Sequence, residues 1–128
     1  MQSISPDMQH CIDDCLHCYR TCLQESMNHC LEAGGRHVEP AHFRLMTNCA
    51  EICRTAASFM LSNSPVHAVV CAACAEVCKA CADSCEQIGE MDECVRACHA
   101  CMQSCASMAQ GAGQGFTQPT PLQDRLPM

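Results

Sequence analysis

Along the chain, small and apolar residues recur in steps of three and four, the period of helices that bury one face. Ser5-Pro6 reads as an N-cap followed by proline at the first helical position, and this run carries on to about Ala33, where Gly34-Gly35 stop it. Pro40 opens a second run that ends near Ser62-Asn63. Ser64-Pro65 repeats the cap-and-proline signal and opens a third, which Gly89 ends. A fourth begins near Met91 or Asp92 and ends before Gly111. Such short connections make consecutive helices antiparallel neighbours. The expected fold is all-α, an antiparallel up-down-up-down four-helix bundle over residues 1–110. Residues 111–128, GAGQGFTQPTPLQDRLPM, have no period and are rich in Gly, Pro and Gln, so a disordered tail is predicted there.

The residue that fills the periodic positions is cysteine. The first helix reads Met8, Cys11, Cys15, Cys18, Cys22, then His29 and Cys30; the second His42, Met46, Cys49, Cys53, then Met60. The third reads His67, Cys71, Cys74, Cys78, Cys81, Cys85, and the fourth Met91, Cys94, Cys98, Cys101, Cys105, Met108. Fourteen of the 16 cysteines fall into Cys-x-x-x-Cys pairs, and Cys30 and Cys71 are left over. An i,i+4 pair lies on one helix face with Cβ atoms about 5–6 Å apart. That is wider than the roughly 3.5–4.5 Å of a disulfide, and it suits two thiolates sharing a metal ion. The four stripes are expected to face the bundle axis. A second apolar stripe on the first helix, Ile12, Leu16, Tyr19, Leu23 and Met27, fits either packing within the monomer or a subunit interface.

Composition narrows the picture. With 128 residues the chain is one domain. There is no Trp, and the aromatics are Tyr19, Phe43, Phe59 and Phe116, so cysteine stands where an ordinary core carries Leu and Phe. The net charge of −7 argues against nucleic-acid binding, which needs a basic footprint. No stretch approaches the ~18 apolar residues of a membrane span. The start, MQSISPDMQHC, lacks the basic region and apolar run of a secretory signal, so the expected compartment is a reducing cytoplasm with the thiols free or metal-bound.

Soft thiolates select Cu(I), Zn(II) or iron–sulfur clusters. Cu(I) matched one-to-one with thiolates leaves the interior neutral, whereas Zn(II) held by four thiolates leaves excess negative charge in a low-dielectric core. The Cys-x-x-Cys steps that could suggest zinc knuckles, such as Cys15/Cys18 and Cys78/Cys81, are links in continuous stripes. An iron–sulfur cluster needs a few convergent cysteines rather than a column. A lone helical Cys is ordinarily a small buried hydrophobe; the repetition of the pair is what points to metal. In an up-down bundle, one end gathers His29, Cys30, His37, His42, Met46, Cys85, Met91 and Cys94, where imidazole and thioether are placed to receive and pass on ions. The other end gathers Met8, His10, Cys11, Met60, His67, Cys71, Cys105 and Met108. His10, His17 and His99 are expected to face solvent, and Glu25 falls near the inner face. No catalytic constellation and no phosphate loop is present, so no enzyme is expected. The rival readings are a zinc or mixed-metal thiolate buffer, a thiol redox protein and a structural interaction module.

The segments CIDDCLHCYRTC, LMTNCAEIC, CAACAEVCKACADSC and CVRACHACMQSC resemble the bacterial four-helix-bundle copper storage proteins, over roughly residues 5 to 109. The resemblance implies a core holding many Cu(I) ions on Cys-x-x-x-Cys pairs, a homotetramer, and, on the N-terminus, the cytosolic branch of the family. It also implies that copper enters beside His29, Cys30, His42, Met46 and Met91. Glu25, His29 and His42 stand where the family places cysteines, which implies a lower capacity and a more labile mouth. Storage for an enzyme, sequestration against toxicity and hand-over to a copper chaperone stay open at this point.

Overall fold

Ser5 starts the first helix as the spacing predicts: its hydroxyl accepts from the Met8 amide at 3.1 Å, and Pro6 occupies the first turn. The structure, a computed structural model, describes the backbone of residues 4–115 and the side chains of residues 4–110. Helix α1 begins as an α-helix over Pro6–Gln24, widens into a π-helical stretch over Glu25–Cys30, and closes as Leu31–Ala33. Gly34 and Gly35, at φ 66° and 56°, end it in a left-handed region open to glycine. A 3-10 turn, Gly35–Val38, leads into α2, Pro40–Leu61, followed by α3, His67–Ile88, and α4, Asp92–Gly115. No strand occurs among the described residues.

Two boundaries differ from the sequence pattern. Ser64-Pro65 does not open α3. Val66 holds φ −112° and ψ 17°, outside the helical range, and Ser64 instead makes a turn, its carbonyl accepting from the His67 amide at 3.2 Å. At the other end, α4 does not stop before Gly111 but continues to Gly115. Glycine costs only about 1 kcal/mol per helical position relative to alanine, which lowers helicity without forbidding it. Residues 116–128, the larger part of the predicted tail, lie outside the described residues.

Sulfur contacts fix the topology. Cys11 meets Cys105 at 3.6 Å and Cys22 meets Cys98 at 3.7 Å, so α1 and α4 run antiparallel. Cys18 meets Cys49 at 3.8 Å, while Cys30 lies beside His42 at 3.9 Å, so α2 descends along α1. Met46 meets Cys85 at 3.5 Å and Cys53 meets Cys78 at 3.6 Å, so α3 ascends along α2. The core along the axis is made of sulfur and small residues: cysteines, Met8, Met46, Met60 and Met91, with Ala50, Ala56, Ala57, Ala82 and Ala97 where helices approach closely. Of the second stripe on α1, Ile12 is buried in this core and Tyr19 packs against it, while Leu16, Leu23 and Met27 are exposed.

Candidate metal centre

All 16 cysteines face inward, each 0% exposed, and all are free thiols. The helical step explains this: every cysteine but one follows the previous one on its helix by three or four residues. The exception is Cys30, eight residues past Cys22. Eight steps at about 100° each overshoot two turns by about 80°. The π-helical stretch absorbs one residue and brings Cys30 back to within about 20° of the stripe. The same widening buries Ser26, whose hydroxyl donates to the Leu23 carbonyl at 3.1 Å.

The thiols form a continuous column of overlapping groups, in each of which the sulfurs lie within 4.8 Å of one another. From the end where α1 begins, Cys11, Cys71 and Cys105 come first, then Cys15, Cys74, Cys101 and Cys105. Cys53, Cys74, Cys78 and Cys101 follow, then Cys18, Cys49, Cys53 and Cys78, then Cys18, Cys22, Cys49 and Cys98. The shortest sulfur contacts cross between helices: Cys15 to Cys105 at 3.4 Å, Cys15 to Cys101 and Cys53 to Cys78 at 3.6 Å. Within i,i+4 pairs, Cys18/Cys22, Cys74/Cys78 and Cys101/Cys105 are slightly wider, at 3.9, 3.8 and 3.9 Å. Each sulfur thus has neighbours from its own and from other helices. The spacing of one helix shows only the former.

Toward the other end the donors change. Met46 Sδ lies 3.6 Å from Cys81 and 3.5 Å from Cys85, inside the column rather than at its rim. Above it, Cys30 lies 4.0 Å from Met91 Sδ and 3.9 Å from His42 Nε2. The other nitrogen of His42, Nδ1, shares a 2.8 Å hydrogen bond with Ser84 Oγ. Ser84 was not a sequence candidate; its only signal is its place between Cys81 and Cys85. His29, predicted at this mouth, meets the ring of His37 edge-on, with centroids 4.9 Å apart. Glu25 is half-buried on the π-helical stretch. His10 and His17 face solvent as expected, His10 lying 3.3 Å from Asp14, and His99 turns outward toward Glu86 at 4.0 Å. His67 Nδ1 is held by the Ser64 carbonyl at 2.8 Å, which ties it to the start of α3.

Burial and thiol–thiol hydrogen bonds divide the sulfurs electrostatically. Cys15, Cys53 and Cys98 are pushed up, first by hydrogen bonds with neighbouring thiols and then by burial. Cys18 and Cys74 are pushed down by hydrogen bonds with their neighbours, against burial. At the mouth, burial, then Cys85 and Glu25, push Cys30 up to about 11. Hydrogen bonds with Cys81 and Cys94 bring Cys85 down to about 4, with His42 adding to the effect. Burial holds His42 below the usual imidazole range, which keeps the ring neutral and able to ligate. The mouth therefore brings together the sulfurs of Cys30 and Cys85, the imidazole of His42 and the thioethers of Met46 and Met91. That donor set is soft throughout and suits Cu(I).

A family model described as Csp, copper storage protein, matches residues 4–110. The chain belongs to the copper storage protein family. Among solved structures, the chain is similar to the Nmul_A1745 protein from Nitrosospira multiformis: 60% identical, TM-score 0.80, covering 81% of this chain and 95% of that one. It is also similar to the Cu(I)-bound copper storage protein BsCsp3 of Bacillus subtilis: 33% identical, TM-score 0.75, covering 80% of this chain and 98% of that one. A further relative is the cysteine-rich protein YhjQ of Bacillus subtilis (strain 168), 36% identical over 66 residues. That match takes in 52% of this chain and spans about half, 54%, of YhjQ. Among the described residues, no helix is long and apolar enough to cross a membrane.

Proposed function

We propose that this chain stores Cu(I) along its thiol column, and that it does so in a reducing cytoplasm as a homotetramer without catalysing a reaction. The observation that carries this reading is the run of buried, free thiols in overlapping groups from Cys11 to Cys22 and Cys98, with Met46 against Cys81 and Cys85, and Met91 and His42 against Cys30, toward the other end. Cu(I) is taken up at Cys30, His42 and Met91, and passes to Met46, Cys85, Cys81 and Cys94. From there it moves by thiolate exchange through Cys22, Cys98, Cys18, Cys49, Cys78, Cys53, Cys74, Cys101, Cys15 and Cys105 to Cys71 and Cys11. Each Cu(I) that enters takes the place of a thiol proton, and a step along the column returns a proton to the sulfur it leaves, so net uptake releases protons and weakens in acid. Every Cu(I) that replaces a proton leaves the site neutral, so many ions can stack in a dry core. A reducing compartment fits because a dithiol oxidised to a disulfide has lost its ligands. A copper chaperone is the natural recipient, since thiolate exchange can continue onto a second protein.

A second reading has an observation in its favour. Groups of four thiols within 4.8 Å also fit tetrahedral Zn(II), which makes a zinc or mixed-metal buffer the rival. The deciding experiment is anaerobic titration of the reduced, metal-free protein with Cu(I) against a calibrated chelator, repeated with Zn(II) in competition. Saturation near the number of cysteines, unaffected by Zn(II), is expected. Saturation at a few ions, or preference for Zn(II), overturns the storage reading, and reversible disulfides without metal uptake would mark a redox protein.

A further inference from the structure

Two histidines near the mouth stand apart from the sulfurs. His29 lies on the π-helical stretch of α1 and His37 on the 3-10 turn between α1 and α2. Their rings meet with centroids 4.9 Å apart and planes at 83°. His37 is only 9% exposed. His29 Nε2 and His37 Nδ1 are both buried without a hydrogen-bond partner. A buried polar atom left unpaired is costly, and here two such atoms belong to touching rings. The other nitrogen of His37, Nε2, faces Glu90 Oε1 at 3.9 Å. Glu90 holds φ 59°, a left-handed conformation uncommon for glutamate, directly after Gly89 at φ 86°. The α3–α4 turn thus brings a carboxylate behind His37. A carboxylate facing one ring nitrogen favours the proton there and leaves the other nitrogen as a lone pair, which is how metal-ligating histidines are commonly oriented.

We infer that His29 and His37, with Glu90 behind His37, form a second metal site, for a divalent transition ion of the Zn(II) class, separate from the thiol column. The donor chemistry decides the ion. Neutral imidazole suits Zn(II) and its neighbours, whereas Cu(I) goes first to thiolate. Glu90 is 81% exposed, so the carboxylate behind His37 faces solvent. An ion held there links the π-helical stretch, the α1–α2 connection and the α3–α4 turn next to Cys30.

The test uses the protein loaded with Cu(I), so that the thiols are occupied, and adds Zn(II) alone as the probe. Uptake is followed by chelator competition and by the ring-nitrogen NMR signals of the histidines. About one extra Zn(II) per chain is expected, with shifts confined to His29 and His37, and with Glu90→Gln weakening it by about 10–100-fold. His37→Ala should abolish it while copper capacity stays unchanged. Unmoved histidine signals, or Zn(II) uptake that persists in His37→Ala, overturn the inference. So does a loss of copper capacity in His37→Ala, or Zn(II) displaced by excess Cu(I), either of which makes the pair part of the copper mouth. A chain that takes up no Cu(I) defeats the storage reading instead, and the same Zn(II) titration with histidine signals then still decides the pair.

Discussion

His42 shows how one residue sets the chemistry of the mouth. Its Nδ1 is tied to Ser84 Oγ at 2.8 Å, so its Nε2 is held toward Cys30 at 3.9 Å. A partner on one ring nitrogen fixes the orientation of the other, and losing such a partner costs about 10–100-fold in metal affinity or activity. Ser84→Ala is therefore expected to slow Cu(I) uptake by about tenfold in stopped-flow mixing while leaving final capacity intact, and Ser84→Thr to restore it. An equal loss in both variants, or none in Ser84→Ala, removes Ser84 from the mouth. Deeper in, Cys74 and Cys78 each belong to two of the four-thiol groups. The double variant Cys74→Ser/Cys78→Ser removes two thiolate charges and should lower capacity by about two Cu(I), with helicity by circular dichroism unchanged. A loss of about one would make the i,i+4 pair the binding unit, and no loss would take both residues out of the site. That all these sulfurs point inward was legible in the sequence, because the helical period leaves cysteine on the buried stripe. Their closest partners were not. Cys15 meets Cys105 across a helix pair, and that register depends on loops and packing.

The helix punctuation was legible for the same local reasons: Ser5-Pro6 caps α1, Gly89 ends α3 and Pro40 opens α2. The signal failed at Ser64-Pro65, where the hydroxyl and carbonyl of Ser64 both serve a turn before α3 begins. It failed again inside α1, because a π-helical widening has no composition of its own and reveals itself only through phase. Cys30 carried that clue, standing eight residues past Cys22 and off the stripe of a regular helix. Deleting the exposed Asn28 shortens the interval to seven residues, which a plain α-helix spans at about 700°, nearly the phase seen now. The deletion should thus be tolerated, with Cys30 still buried and copper capacity unchanged. Capacity reduced by several ions would mean that the widened turn is itself part of the mouth. Deleting the equally exposed Glu76 from regular α3 should rotate one half of its stripe by about 100° and destroy capacity.

The whole molecule carries two features that no single helix shows. One is the exposed apolar surface of α1, where Leu16, Leu23, Met27 and Leu31 remain accessible although Ile12 beside them is buried. This surface supports the proposed tetramer, and Leu23→Asp/Leu31→Asp should shift the protein to monomers in analytical ultracentrifugation; an unchanged assembly places the interface elsewhere. The other is the collective titration of the column. Burial pushes its thiols toward the protonated form, and hydrogen bonds with neighbouring thiols push some of them back. A thiol that is harder to ionise in the bundle than in the open chain, as Cys30 is at about 11 against 9.0, favours folding while the pH stays below 9.0. Above that the unfolded chain sheds its protons first, and the contribution is lost as the pH climbs through about 11. Cys85, held near 4, works in the opposite sense: its contribution is present above 9.0 and fades as the pH falls through about 4. Because burial opposes ionisation of every thiol in the column, the reduced, metal-free protein should lose thermal stability between pH 9 and 11. Cu(I) removes the cause, since the sulfurs are then already deprotonated and their charge is matched. The loaded protein should hold its melting temperature across the same alkaline range and lose it in acid instead, where protons compete for the thiolates. Parallel thermal melts of the two forms across pH decide the point. A metal-free protein equally stable at both ends of the alkaline range would mean that its sulfurs ionise freely, and a column wet enough for that has no need of a monovalent ion to stay neutral.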